Sequence, residues 1–130
     1  MALLKEKKIF PKQERLCGRK EIDRLFDQGS AVSSLPVKLL FIPRTEDTTI
    51  PCKSMFVVPK KSFRKAHDRN KLKRRMREAF RLNKSGLYQQ LASKEQCFSL
   101  AFLYTGKKEE NYSKIELALK ECLQKMNKKI

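Results

Sequence analysis

The sequence is poor in the residues that most catalytic and metal-binding arrangements need. Its 130 residues include one histidine, four glycines and no tryptophan. Four scattered glycines leave no Gly-rich loop to cradle a nucleotide phosphate. The single His67 has no Ser, Cys or Asp matched to it as a triad, and acid–base chemistry needs partners at hydrogen-bond reach. Just ahead of an expected helix start, His67 reads as a surface or capping residue. Cys17, Cys52, Cys97 and Cys122 lie far apart, and no Cys-x-x-Cys pair points to zinc. They read as buried or indifferent thiols. No apolar run approaches the roughly 20 residues that span a bilayer. The opening Met1-Ala-Leu-Leu-Lys5-Glu has too short an apolar stretch for a secretory leader. The expected address is therefore the cytoplasm. Acids are also scarce and mostly flanked by Lys or Arg, so no protein-built metal cage is expected. Neither catalytic residues nor metal ligands are assigned.

What the chain has in excess is positive charge. Lys plus Arg number 31 against 14 Asp plus Glu, a net charge of +17 with a pI near 10.0. Such an excess repels itself and calls for a polyanionic partner. Hydrophobic residues make up 40% and include eight Phe, enough for one core and too many for a disordered tail. The charge is concentrated. Between Lys60 and Lys84, twelve basic residues face only Asp68 and Glu78, so ten of the seventeen net charges fall there.

Residues 1–14 read as a flexible basic arm, with Phe10-Pro11 as an anchor, and 15–127 as a single RNA-binding domain. Ile22, Leu25 and Phe26 recur at helical spacing over Arg19–Gln28, with Gly29 as the stop. Val37–Ile42 and Lys53–Val58 read as strands, joined by a hairpin-like connection from Arg44 to Pro51. Asp68 is the expected N-cap of a helix running to about Asn83, ended by Ser85-Gly86. On it Leu72, Met76, Ala79 and Phe80 share one face, while Asn70, Arg74, Arg77 and Arg81 cluster on the other. Leu87–Leu91 adds a short helical turn. Cys97–Tyr104 is the third strand, and a last helix over Tyr112–Lys125 turns Ile115, Leu119, Cys122 and Met126 inward. The order helix–strand–strand–helix–strand–helix gives an α/β fold of the α+β sandwich kind, a sheet of three or four strands with helices packed on it.

Like charges at i, i+3 and i+4 destabilise a helix unless a counter-charge arrives. Arg74, Arg77 and Arg81 therefore await phosphates. A helix-turn-helix is excluded, because a strand and Pro59 stand where its first helix belongs. RNA fits better than DNA: basic side chains reach phosphates while apolar groups support bases. On charge, size and layout alone, a ribosomal or ribosome-assembly RNA-binding protein remains the alternative.

Arg69-Asn70-Lys71-Leu72-Lys73-Arg74-Arg75-Met76-Arg77 resembles the hallmark of the protein component of bacterial ribonuclease P: Arg-Asn-Arg, an aliphatic residue, Lys-Arg, two variable positions and Arg. Lys71 stands where that pattern usually has Arg, and His67 where it is usually aliphatic. Arg15-Leu16 with Ile22–Gly29 is similar to the family's first helix and its closing glycine. The likeness covers about residues 9 to 126. It implies a left-handed strand–helix–strand crossover around the basic helix. It implies a subunit of an endoribonuclease that removes the 5′ leader of precursor tRNA, with the phosphodiester hydrolysed by the RNA subunit and its magnesium ions. No cofactor on the protein, no membrane and no DNA are implied. Lys60, Lys61, Arg69, Asn70, Lys71, Lys73, Arg74, Arg77 and Arg81 would contact the catalytic RNA. A cleft between first helix and sheet would hold the leader. Strand alternation, with the resemblance, assigns Lys38, Leu40, Lys53, Met55 and Val57 to it, and Ile22 and Phe26 of the first helix would line the other wall. Leu39, Phe41, Phe56 and Val58 then face the core.

Overall fold

The computed structural model describes residues 10–45 and 50–130. Helix α1 spans Arg19–Gln28, strand β1 Ser30–Ser34, β2 Val37–Pro43 and β3 Cys52–Val57. Helix α2 spans Ala66–Asn83, α3 Ser85–Ser93, strand β4 Phe98–Tyr104 and α4 Tyr112–Lys129. The four strands lie in the order β1-β2-β4-β3. β4 runs antiparallel to β2 and parallel to β3.

The α/β class and the order of the main elements agree with the sequence reading, and four differences have physical causes. First, Ser30–Ser34 is a strand. It pairs with β2 across the tight turn at Leu35-Pro36. It escapes a hydrophobic search because, as an edge strand, it buries only Val32. Second, β2 and β3 are not a hairpin, since β4 lies between them. The connection crosses over a strand, and its residues 46–49 lie outside the described residues. Third, Lys65, not Asp68, is the N-cap of α2, and Asp68 sits in the first turn. There its carboxylate still complements the N-terminal end of the macrodipole. Fourth, Ser85-Gly86 opens α3 instead of closing the basic helix.

Gly29 does end α1, by a different device from a left-handed cap. Its φ is −69°, open to any residue. A Cβ there would lie 2.4 Å from the Leu25 carbonyl oxygen, so the requirement is for space. The chain turns from α1 into β1 at van der Waals distance, which only glycine permits.

Two cores sandwich the sheet. On one face Leu72, Met76, Ala79 and Phe80 of α2 and Ile115, Leu119, Cys122 and Met126 of α4 are all fully buried. They pack against Leu39 and Phe41 of β2 and Leu100 and Phe102 of β4. Burying each such large side chain contributes roughly 1.5–3 kcal/mol, so this face dominates the stability. The other face carries a smaller cluster of Leu16, Leu25, Leu40, Ile42 and Ala101.

Of the arm expected over residues 1–14, residues 1–9 lie outside the described residues. Residues 10–14 pack on the domain. Phe10 meets Phe56 and Phe80 edge-on at 5.7 and 6.1 Å. Glu14 accepts a 2.7 Å hydrogen bond from Lys84 Nζ and another from the Tyr88 hydroxyl. The Lys84 side chain is fully buried. Leu16 N–H donates to the Ser54 carbonyl at 2.8 Å, which ties this segment along the edge of β3.

Candidate nucleic-acid interface

Helix α2 separates apolar packing from positive charge, but its cations are not equivalent. Lys71 and Arg75 reach Glu109 in the β4–α4 loop at 3.5 and 3.0 Å. Arg75 also donates to the Glu110 carbonyl at 2.6 Å. One of the two charges on this flank is offset from within. Arg81 pairs with Glu78 one turn earlier. Arg69 Nη1 donates to the carbonyls of Phe63 and Arg64, both at 2.8 Å, and so pins the loop that carries Lys60 and Lys61. Phe63 anchors the loop from below, its ring 5.6 Å from that of Tyr104. Lys60 and Lys61 stand exposed in a turn.

Asn70 and Arg74 are exposed and Lys73 half-buried. Among the described residues, Lys73 and Arg74 make no hydrogen bond or ion pair. Arg77 departs from the expected pure surface role. It is half-buried, with its guanidinium 5.9 Å from the Phe56 ring centroid. Burial, with the charges of Arg15 and Arg74, pulls its pKa below the ordinary value. Three guanidinium groups therefore crowd the seam where α2 meets the edge of β3. Arg15 was not among the expected contacts. Its signal in the sequence is weak, because only the fold brings it beside Arg74 and Arg77. His67 is exposed in the first turn of α2, 3.8 Å from Asp68.

The second surface is the sheet face under α1. Backbone register sets its rows. Val57, Leu103, Lys38 and Ser33 form one row across all four strands. Met55, Ala101, Leu40 and Ala31 form the next, and Lys53, Ser99 and Ile42 the third. The alternation expected for β2 and β3 holds: Lys38, Leu40, Lys53, Met55 and Val57 share this face.

Helix α1 covers only part of it. Glu21 takes a bidentate contact from Arg24 at 2.8 and 3.0 Å and a 2.6 Å hydrogen bond from Ser99 Oγ. Arg24 also donates to the Pro43 carbonyl at 2.8 Å. These bonds clamp α1 over the third row. The Arg24 guanidinium, despite some opposing desolvation, holds the Glu21 carboxyl below its usual range. Leu40 is on the expected face yet only 9% exposed, since Leu25 and Leu16 lie over it. It serves as the cleft's floor support, not its open surface. Ile22 is partly buried against the same cluster. Phe26, 46% exposed, stands free of the core at the rim. Met55, Val57, Lys38 and Leu103 remain partly accessible.

Leu103 is the residue that sequence reasoning misses here. β4 is covered on both faces for most of its length, so Phe98–Tyr104 reads as one apolar run and hides its alternation. Beyond the third row, Lys53 opens into a pocket of about 580 Å³ shared with Lys20, Arg24 and Arg44. Lys20 and Arg24 stand one turn apart on α1, whereas Arg44 follows β2 and Lys53 lies on β3, so no local spacing signals the convergence of the three elements.

Among the described residues, no three His, Cys, Asp or Glu side chains come together to hold a metal ion, and no helix is long and apolar enough to cross a membrane. Fold and surface thus define a small basic α/β protein that turns one helix face and one half-covered sheet face outward. A family model described as Ribonuclease P matches residues 10–127. The chain belongs to the ribonuclease P protein component family. Its relatives include the protein components of Porphyromonas gingivalis and Chlorobaculum tepidum. The first is 32% identical over 112 residues, covering 86% of this chain and 82% of that one. The second is 35% identical over 114 residues, covering 81% and 74%. The Staphylococcus aureus RNase P protein shares the fold with a TM-score of 0.70 at 20% identity, over 87% of this chain and 94% of that one. The Thermotoga maritima protein gives 0.62 at 26%, over 90% and 97%.

Proposed function

We propose that this subunit of ribonuclease P binds the catalytic RNA through α2 and its preceding loop, and the 5′ leader of precursor tRNA across the open sheet face. It thereby assists removal of the leader in the cytoplasm. The observation that carries this reading is the division of the surface. Lys60, Lys61, Asn70, Lys73, Arg74 and Arg77 stand on one side of the β3 edge. The row Val57–Leu103–Lys38 lies on the other, with Ile22 and Phe26 at its wall. The first surface suits a folded phosphate backbone. The second offers lysines for phosphates and an apolar floor for bases, which tolerates any base sequence. Hydrolysis belongs to the RNA subunit with its magnesium ions; this chain contributes binding and orientation.

Two experiments test this. RNA-free protein, incubated with precursor tRNA at any magnesium level, is expected to leave it intact, and addition of the RNA subunit restores cleavage. Clean 5′ processing by the protein alone overturns the assignment. Arg74→Ala is expected to weaken association with the catalytic RNA about 10-fold or more, because a charge-assisted contact contributes roughly 1.5–3 kcal/mol. Its melting temperature stays near that of the parent, since Arg74 is exposed. Arg77→Ala is a poorer probe, because it also removes packing on Phe56. Unchanged RNA affinity in Arg74→Ala would move the contact off this face.

A further inference from the structure

The basic surface does not end at the sheet. Where the edge strand β1 meets the last turns of α4, a groove of about 420 Å³ opens, lined by Ala31, Ser33, Lys38, Lys125, Lys128 and Lys129. Lys125 Nζ donates to the Ser33 carbonyl at 2.6 Å. That bond blunts an exposed edge acceptor, a structural task for lysine at sheet edges. Lys128 and Lys129 have no such task. Both are exposed and make no hydrogen bond or ion pair among the described residues. Glu121, one turn before Lys125, is taken up by the Ser34 hydroxyl at 2.8 Å.

Lys38 makes this groove continuous with the open sheet face. It stands opposite Leu103 on β4 and opposite Ser33 on β1. The row from Val57 to Ser33 crosses three interstrand steps, roughly 14 Å at about 4.8 Å each. It leads directly to the lysines of α4. The groove has no aromatic platform; Ala31, Val32 and Ser33 of β1 form its floor. Such a surface attracts phosphates without reading or stacking bases.

We propose that this groove receives the upstream part of the 5′ leader, with Lys128 and Lys129 neutralising phosphates beyond those on the sheet face. The proposal rests on the leader assignment above. It makes precursor binding depend on leader length, in a strand too long to be held by the central cleft alone.

The test uses holoenzyme reconstituted with the Lys128→Ala/Lys129→Ala protein and precursor tRNAs with short and long leaders. With the parent protein, affinity is expected to rise with leader length and then level off. The variant should bind the short-leader precursor normally and lose about five-fold on the long one, as expected for two exposed ion pairs. Its salt slope with the long leader should be shallower by about 1.4, two single-strand phosphates at roughly 0.7 each. Equal losses on short leaders, long leaders and mature tRNA would assign the lysines to another RNA surface and overturn the proposal. So would an unchanged length dependence. If the leader assignment itself is wrong, the parent protein gives no preference for precursor at any length. If only the groove is wrong, that preference survives and the variant matches the parent.

Discussion

Holoenzyme carrying Val57→Glu is expected to lose its preference for precursor over mature tRNA by about 10-fold or more, while its affinity for the catalytic RNA stays near normal. Val57 closes the row it shares with Leu103 and Lys38, on the face away from the main core. It is only half-buried, so a glutamate there can be solvated without opening the fold. Its carboxylate would stand beside the leader backbone, and like charges brought together at an interface cost several kcal/mol. A loss of about 1.4 kcal/mol already produces the expected effect. Met55→Ala confounds binding with packing, because Met55 leans on the smaller core, and a charge introduced on the open strand face avoids that. Competition between precursor and mature tRNA for reconstituted enzyme is the measurement. Intact discrimination would mean that the leader does not cross this face.

Glu14→Ala is expected to destabilise the protein by about 3–5 kcal/mol, the usual cost of breaking a buried ion pair by removing one charge. For a domain of this size that lowers the melting temperature on the order of 10–20 °C. The change removes the carboxylate that accepts from both Lys84 and Tyr88. It leaves the Lys84 ammonium at the tip of a fully buried side chain without its carboxylate. Burial already pushes the Lys84 pKa below its ordinary 10.5, against the pull of Glu14. A lysine whose folded pKa is depressed binds fewer protons folded than unfolded, so stability rises with pH between the two values. The deficit of Glu14→Ala should therefore shrink at alkaline pH, where Lys84 can be neutral. Glu14→Leu with Lys84→Met should recover most of the loss, since apolar replacement of a buried pair is often neutral. Thermal melts of the parent and the two variants against pH decide this. A neutral Glu14→Ala would mean that residues 10–16 are not locked to the domain by this pair.

The local patterns in the sequence carry a great deal. The stripes of α2 and α4 are legible because one face of each is buried and the other wet, which forces a 3.6-residue period onto the residues. The rows of β2 and β3 are legible for the same reason at period two. What fails is whatever depends on neighbours distant in sequence. The polar Ser30–Ser34 becomes a strand because β2 offers it a ladder. Leu103 looks like all its neighbours because both faces of β4 are covered. Glu109 offsets one of the two charges of Lys71 and Arg75 from the β4–α4 loop, so a count of charges on α2 overstates what it presents. Arg77 has surface spacing, yet the Phe56 ring holds it. The electrostatic footprint is thus readable as a total and unreadable as a map.

The position of β4 has a consequence for how the chain can assemble as it is made. β2 and β3 are never neighbours; β3 finds its only ladder on β4, and the β1–β2 pair is joined to it only through β4. Once the ribosome has released residues 1–57, β1 and β2 can close their local hairpin, but β3 has no strand to join. The basic α2 and the short α3 emerge next, with their apolar stripes facing a sheet that does not yet exist. Only when Phe98–Tyr104 arrives can both halves dock on it, and both cores close around that one strand. Folding is therefore an event of the last quarter of synthesis, governed by contacts of long sequence separation. Until then a strongly cationic helix is presented to a cell full of RNA while the domain that will orient it is still open.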